Sequence, residues 1–222
     1  MLRAIKGNKW LSTVAFLAIG LSLYMAVQYF VLGADQSGLI NDKLNKMNLN
    51  DLWYAMLYIH IVTAIIAICT GWPQFIGKLR ARSIRAHRAI GKIYSYCVLL
   101  GGVSGIYLSF YATGGWVSSA GFLLLALLWI YTLIKGIRAI TVNKDTREHQ
   151  RWMTRNYALT FAAVTLRIYL PLSMAIFGFE SFDDYYRAIA WLCWVPNLIF
   201  AQWLVNRSKR QKVHFHSWKT GG

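Results

Sequence analysis

Six apolar segments, each close to the length that a hydrocarbon layer of roughly 30 Å demands at about 1.5 Å of helical rise per residue, constrain this chain more than any other feature. They run over residues 10–32, 52–72, 93–113, 117–134, 156–179 and 188–205 and fill more than half of the 222-residue sequence. The connections between them are too short to hold a separate soluble domain. Composition agrees, with 57% hydrophobic and only 14% charged residues, where soluble domains carry about 25% charged. Because lipid offers no partner to a bare peptide group, a segment of this kind must satisfy its own backbone as a helix. The sequence therefore predicts an all-α integral membrane bundle of six transmembrane helices. It forms a single domain over residues 1–222, with 206–222 as a basic tail.

The formal net charge of +16 has to sit outside those segments, and its distribution is alternating. The N-terminus (Arg3, Lys6, Lys9), the second loop (Lys78, Arg80, Arg82, Arg85, Arg88, Lys92), the fourth loop with its helix ends (Lys135, Arg138, Lys144, Arg147, Arg151, Arg155) and the tail (Arg207, Lys209, Arg210, Lys212, Lys219) hold twenty of the 24 Lys and Arg residues. Only Asp145 and Glu148 oppose them there. The intervening connections carry Lys43, Lys46 and Arg187 with the six other acids, apart from the uncharged turn at Gly114 to Trp116. Loops rich in Lys and Arg stay on the cytoplasmic side, so both termini are expected there. The same bias accounts for the high pI without a nucleic-acid groove, and the expected partners are membrane lipids, with a partner membrane subunit compatible and no nucleic acid.

The first segment resembles a secretory signal in its basic start and in Gly33 and Ala34 at its end. Its 23 apolar residues exceed a signal's usual h-region of about 7 to 15, and it reads as an uncleaved anchor. Cys69, Cys97 and Cys193 lie in apolar runs with no CxxC spacing, which indicates neither a disulfide framework nor a thiolate metal site. No interrupted segments recur at matching positions of two halves, as an inverted-repeat transporter would show. Trp10, Trp53, Trp72, Trp116 and Trp203 sit at segment ends, as interfacial belts do. Gly101 and Gly105 form a GxxxG pair that permits close helix contact, within or between chains.

Two ionisable side chains lie well inside apolar segments, His60 and Arg167. Counted from the outer ends they are eight and about twelve residues deep, so they are expected to share one polar pocket. A mid-membrane Arg costs at least about 2.5 kcal/mol and must face the bundle interior or water. No Asp or Glu lies in any segment, which leaves carbonyls, hydroxyls, water or a bound anion as partners. A packing role competes: Pro171 frees the carbonyl four residues before it, that of Arg167 itself, and a neutral His bonded to a neighbouring helix is inexpensive.

Two histidine motifs precede the third and fifth segments. Arg85-Ala86-His87-Arg88-Ala89-Ile90-Gly91-Lys92-Ile93-Tyr94 places His87, Gly91 and Tyr94 at i, i+4 and i+7, one helix face. Arg147-Glu148-His149-Gln150-Arg151-Trp152-Met153-Thr154-Arg155-Asn156 does the same for His149, Met153 and Asn156, and a continuous helix would carry that stripe on to Arg167. Two imidazoles at one depth suit the axial positions of a haem iron. Arg88, Arg151 and Arg155 would then pair its propionates, Gly91 and Tyr94 would line the cleft, and Trp152 and Met153 would pack its edge. An ordinary interfacial anchor has a similar composition. A zinc hydrolase lacks its HExxH or DxH grouping.

His60 with Gly71-Trp72-Pro73-Gln74-Phe75, the HRxxGxxY run from His87, the HxxWMxR run from His149, Thr165-Leu166-Arg167 and the stretch from Trp191 to Asn197 resemble a family of bacterial multi-pass membrane proteins classed as a domain of unknown function. The similarity covers roughly Leu52 to Leu204, with His60, His87, Arg88, Gly91, Tyr94, His149, Trp152, Met153, Arg155 and Arg167 at motif positions. It departs at Trp72, which intervenes where the family places Gly-Pro. The resemblance implies a multi-pass protein of the bacterial cytoplasmic membrane, and no activity. The residues themselves suggest one b-type haem at His87 and His149, or a quinone, in a redox role, with His60 and Arg167 as a second polar site for a quinone head group or an anion. The rival readings are a non-enzymatic accessory, assembly or lipid-binding protein, and a small-solute carrier.

Overall fold

The computed structural model describes residues 8–33, 36, 49–178 and 180–220, with side chains described for 11–33, 36, 49–178 and 180–208. The charges at Arg3, Lys6, Asp35, Asp42, Lys43 and Lys46 lie outside the described residues, as do the side chains of Lys9 and of the tail beyond Ser208. The described residues contain helices and no strand. Six helical stretches are long and apolar enough to cross a membrane: Leu11–Val31, Asp51–Phe75, Ile84–Ser109, Trp116–Thr141, Thr146–Phe177 and Phe182–Ser208.

Helix α1 (Asn8–Ala26) continues as one π turn, Val27–Val31, and α2 (Asp51–Gly71) as a 3-10 turn, Trp72–Phe75, with Pro73 in its first turn, where no N–H is needed. After the short α3 (Gly77–Arg82) come α4 (Ile84–Ser109) and α5 (Trp116–Thr141). Span five consists of α6 (Thr146–Thr160) and α7 (Ala162–Phe177), and span six of α8 (Phe182–Leu192) and α9 (Val195–Thr220).

The helices outrun the apolar segments toward the basic side because their caps lie there. Ser83 Oγ accepts from Ala86 N at 3.2 Å, so α4 starts nine residues before Ile93 and takes His87 into regular helix. Asp145 accepts from Arg147 N at 2.8 Å and Glu148 N at 3.0 Å, so α6 starts ten residues before Asn156 and carries His149 in its first turns. Hydropathy marks where lipid begins, whereas capping marks where helix begins.

Spans five and six are interrupted, which the sequence does not announce. Phe161 forms a one-residue turn between α6 and α7, next to Thr160, whose Oγ donates back to Asn156 O at 3.1 Å. The interruption is slight, since Phe161 keeps helical angles (φ −69°, ψ −10°) and its N–H still bonds Tyr157 O at 2.9 Å, so the stripe from His149 runs past it toward Arg167. In span six the break at Cys193 and Trp194 precedes Pro196, which sits in the first turn of α9.

The buried core joins Ala67 of α2, Tyr94 and Val98 of α4, Trp129 and Leu133 of α5, Tyr157 and Leu159 of α6, and Cys193 and Trp194 of span six. The first span packs on α2 and α7, where Ala18, Ile68 and Val164 are enclosed together. Large apolar side chains such as Phe16, Tyr96, Leu100, Val103 and Ile199 are exposed around the outside, the surface that a lipid environment covers. Gly101 and Gly105 settle the GxxxG question within one chain. A Cβ on Gly101 would meet Thr63 Oγ at 2.8 Å and the Trp129 ring at 3.2 Å, and one on Gly105 would meet His60 Cε1 at 3.2 Å.

Candidate functional site

A cavity of about 210 Å³ takes wall residues from all six spans, among them Tyr29, Trp53, Gly101, Phe122, Arg167 and Tyr186. Its walls are predominantly apolar. A smaller space of about 40 Å³ between α1, α2 and α7 shares His60, Ile61, Ala64, Ala163 and Arg167 with it. His60 and Arg167 thus line one cavity despite the break between α6 and α7. Trp53 also belongs to it and is only 2% exposed, which corrects its placement in an interfacial belt. Asn50 caps α2 by accepting from Trp53 N at 2.9 Å, fixing the helix start that turns the indole inward. Trp116 and Trp203 are exposed, as belt residues are.

His60 Nδ1 is 2.8 Å from Gly101 O. A carbonyl only accepts, so Nδ1 carries the proton and Nε2 makes no hydrogen bond among the described residues. Arg167 uses Nε on the sulfur of Met25, at 3.2 Å. This is its one hydrogen bond among the described residues, and it is a poor one for a guanidinium with five donors. The carbonyl expected from the Pro171 break is not its partner. Arg167 also lies within electrostatic reach of His60, Tyr186 and Cys193.

Toward the basic end the cavity wall becomes a buried hydrogen-bond network. The Tyr94 hydroxyl donates to Asn156 Oδ1 at 2.6 Å and lies 2.8 Å from Thr160 Oγ, which accepts from Trp129 Nε1 at 2.8 Å. Asn156 Nδ2 donates to Trp129 O at 2.7 Å and Thr132 Oγ at 2.8 Å. Tyr94 is 1% and Asn156 0% exposed, so these bonds have no competition from solvent. Thr160 and Trp129 line the cavity as well. Thr132, Trp129 and Thr160 carry no signal in the sequence, where Thr and Trp in an apolar run look like ordinary packing residues.

The network also sets the level of the two histidines. Helices α4 and α6 both run inward from the basic end, and Tyr94 meets Asn156. Going back two turns on each helix reaches His87 and His149, which lie within electrostatic reach of one another. His149 Nδ1 donates to Gly136 O at 2.7 Å, and His87 Nδ1 is enclosed without a hydrogen-bond partner. Gly91 lies one turn above His87 with only Gln74 Oε1, 3.9 Å away, near the position of a Cβ. Arg80 and Arg88 act on His87.

The other basic-end candidates go elsewhere. Arg151 and Arg155 project from α6 on the far side from His149, about 200° and 240° round the helix. Arg151 pairs with Glu148 at 3.1 Å, while Arg155 bonds Gln202 Oε1 at 2.9 Å and stacks on Trp152 with 4.6 Å to the ring centroid. Trp152 also meets Tyr131 edge to face, and Met153 leans on Gly136. Arg80, not singled out from the sequence as a site residue, is the arginine that joins Arg88 at the histidine pair. Among the described residues no group of three or more His, Cys, Asp or Glu side chains is placed to hold a metal ion.

Fold and site define a class, a polytopic helical membrane protein with a cationic, largely apolar cavity at its centre. Within that class, the chain belongs to the family described as "Predicted membrane protein (DUF2306)", whose family model matches residues 57–205. The match takes in His60, both histidine motifs and Arg167. Neither curated proteins nor solved structures gave a significant match.

Proposed function

We propose that this protein binds a quinone-class molecule dissolved in the membrane, with the polar ring in the central cavity between Arg167 and His60, in a redox role. The observation that carries the reading is Arg167, a guanidinium on the wall of an apolar cavity with a thioether as its protein hydrogen-bond partner. A group that only donates calls for an acceptor, and a ring carbonyl is one that an apolar cavity tolerates. The Nε2 lone pair of His60 complements it by accepting from a hydroxyl of the reduced ring. Size is compatible, since apolar cavities of about 150 Å³ accept benzene. A lipid phosphate would also satisfy Arg167, and the titration below separates the two occupants. The loop charges favour a bacterial cytoplasmic membrane with the basic end inside.

Tryptophan fluorescence tests this directly, because Trp53 and Trp129 line the cavity and quinones quench indoles. Titrating the protein in nanodiscs with a short-chain ubiquinone should give saturable quenching, weakened about tenfold or more in Arg167→Gln, in line with about 1.5 to 3 kcal/mol for a hydrogen bond to a charged group. Equal affinity in the variant would contradict the reading. Displacement of the quinone by modest amounts of phosphatidylglycerol would reassign the cavity to a lipid head group.

A further inference from the structure

We infer that His87 and His149 are the axial ligands of one b-type haem held between spans three and five at the basic end of the bundle. This rests on a different set of residues from the quinone reading. Three features of the pair point to ligation rather than packing. His149 is oriented by a carbonyl on its Nδ1, the support that ligating histidines commonly receive, and its Nε2 lone pair is left free. His87 makes no protein hydrogen bond among the described residues, which leaves its Nε2 free to ligate, although its enclosed Nδ1 lacks the carbonyl support that His149 has. Gln74 Nε2, beside Gly91, is enclosed and unpartnered too. An imidazole kept for packing normally finds a partner when buried.

The number of donors selects the metal. A bare zinc or copper ion needs three or four protein ligands, and no such group occurs among the described residues. A haem supplies four nitrogens of its own and asks the protein for two on opposite faces, which parallel helices at one level provide. Beside Gly91, one turn from His87, only Gln74 Oε1 comes near the position of a Cβ, at 3.9 Å, and Arg80 and Arg88 are the cations whose charge reaches His87 and that would pair with the haem carboxylates. Met153 is turned onto Gly136 and takes no part.

The test is the optical spectrum of purified full-length protein titrated with hemin, oxidised and then reduced with dithionite. The expected result is a low-spin spectrum with a sharp alpha band on reduction, converted to a high-spin form or lost in His87→Gly and in His149→Gly. Added imidazole should restore the low-spin form in each folded variant, a rescue that a packing role does not produce. Gly91→Leu raises helix propensity while filling the cleft, so it should keep the fold and lose haem at least tenfold. Arg167→Gln should keep the spectrum, which separates failure here from failure of the quinone reading. A wild-type protein that gives no low-spin spectrum with hemin, a spectrum unchanged in both histidine variants, or folded variants that imidazole does not rescue would overturn the assignment.

Discussion

At the level of single residues, the bundle is specified by a few buried polar groups rather than by apolar packing, which lipid supplies equally to every helix. Asn156 ties three spans together through Tyr94, Trp129 and Thr132. Tyr94→Phe would leave Asn156 Oδ1 short of its donor, and Asn156→Ala would strand several partners at once. Each substitution should lower unfolding stability in detergent by about 1 to 3 kcal/mol, with Asn156→Ala the more severe. Equal stability of both variants and the parent would show that the network is not a stabilising element. The sequence makes Asn156, Tyr94 and Arg167 visible because polar groups in apolar runs stand out. It conceals Trp129 and Thr160, whose polar atoms matter only once the helices meet.

At the level of elements, caps and interruptions decide where functional side chains point. Asp145 starts α6 just before His149, and two backbone N–H groups, of Glu148 and Arg147, hold its carboxyl below the usual Asp range. A depressed carboxyl contributes stability that is complete above the unfolded Asp value and lost as pH falls through the lower folded one. Acid titration of the melting temperature should therefore show a loss in the parent that is absent in Asp145→Asn, since Asn caps equally well without titrating. Parallel acid profiles in the two proteins would remove Asp145 from the account. Helix existence was legible from apolar length alone. The turn at Phe161 was not, because no Pro or Gly marks it in the sequence. Phe161 nevertheless keeps helical backbone angles, so span five carries Asn156 and Thr160 of the network and Ala163 and Arg167 of the cavity in succession along its inward side.

At the level of the whole molecule, six spans enclose a cavity that each of them helps to line, and the basic loops gather at one end beside the histidine pair. Cysteine-labelling from either side of the membrane should find single cysteines at Lys144 and Arg207 accessible from the cytoplasm and one at Gly115 from outside; the reverse pattern would invert the proposed orientation. The account stands or falls on what occupies the space before Arg167. The most direct measurement is mass spectrometry of the small molecules extracted from protein purified in mild detergent from its own membrane. The proposed function predicts near-stoichiometric quinone with the parent and a severalfold loss with Arg167→Gln. Phospholipid alone, or a quinone content indifferent to Arg167, would contradict it.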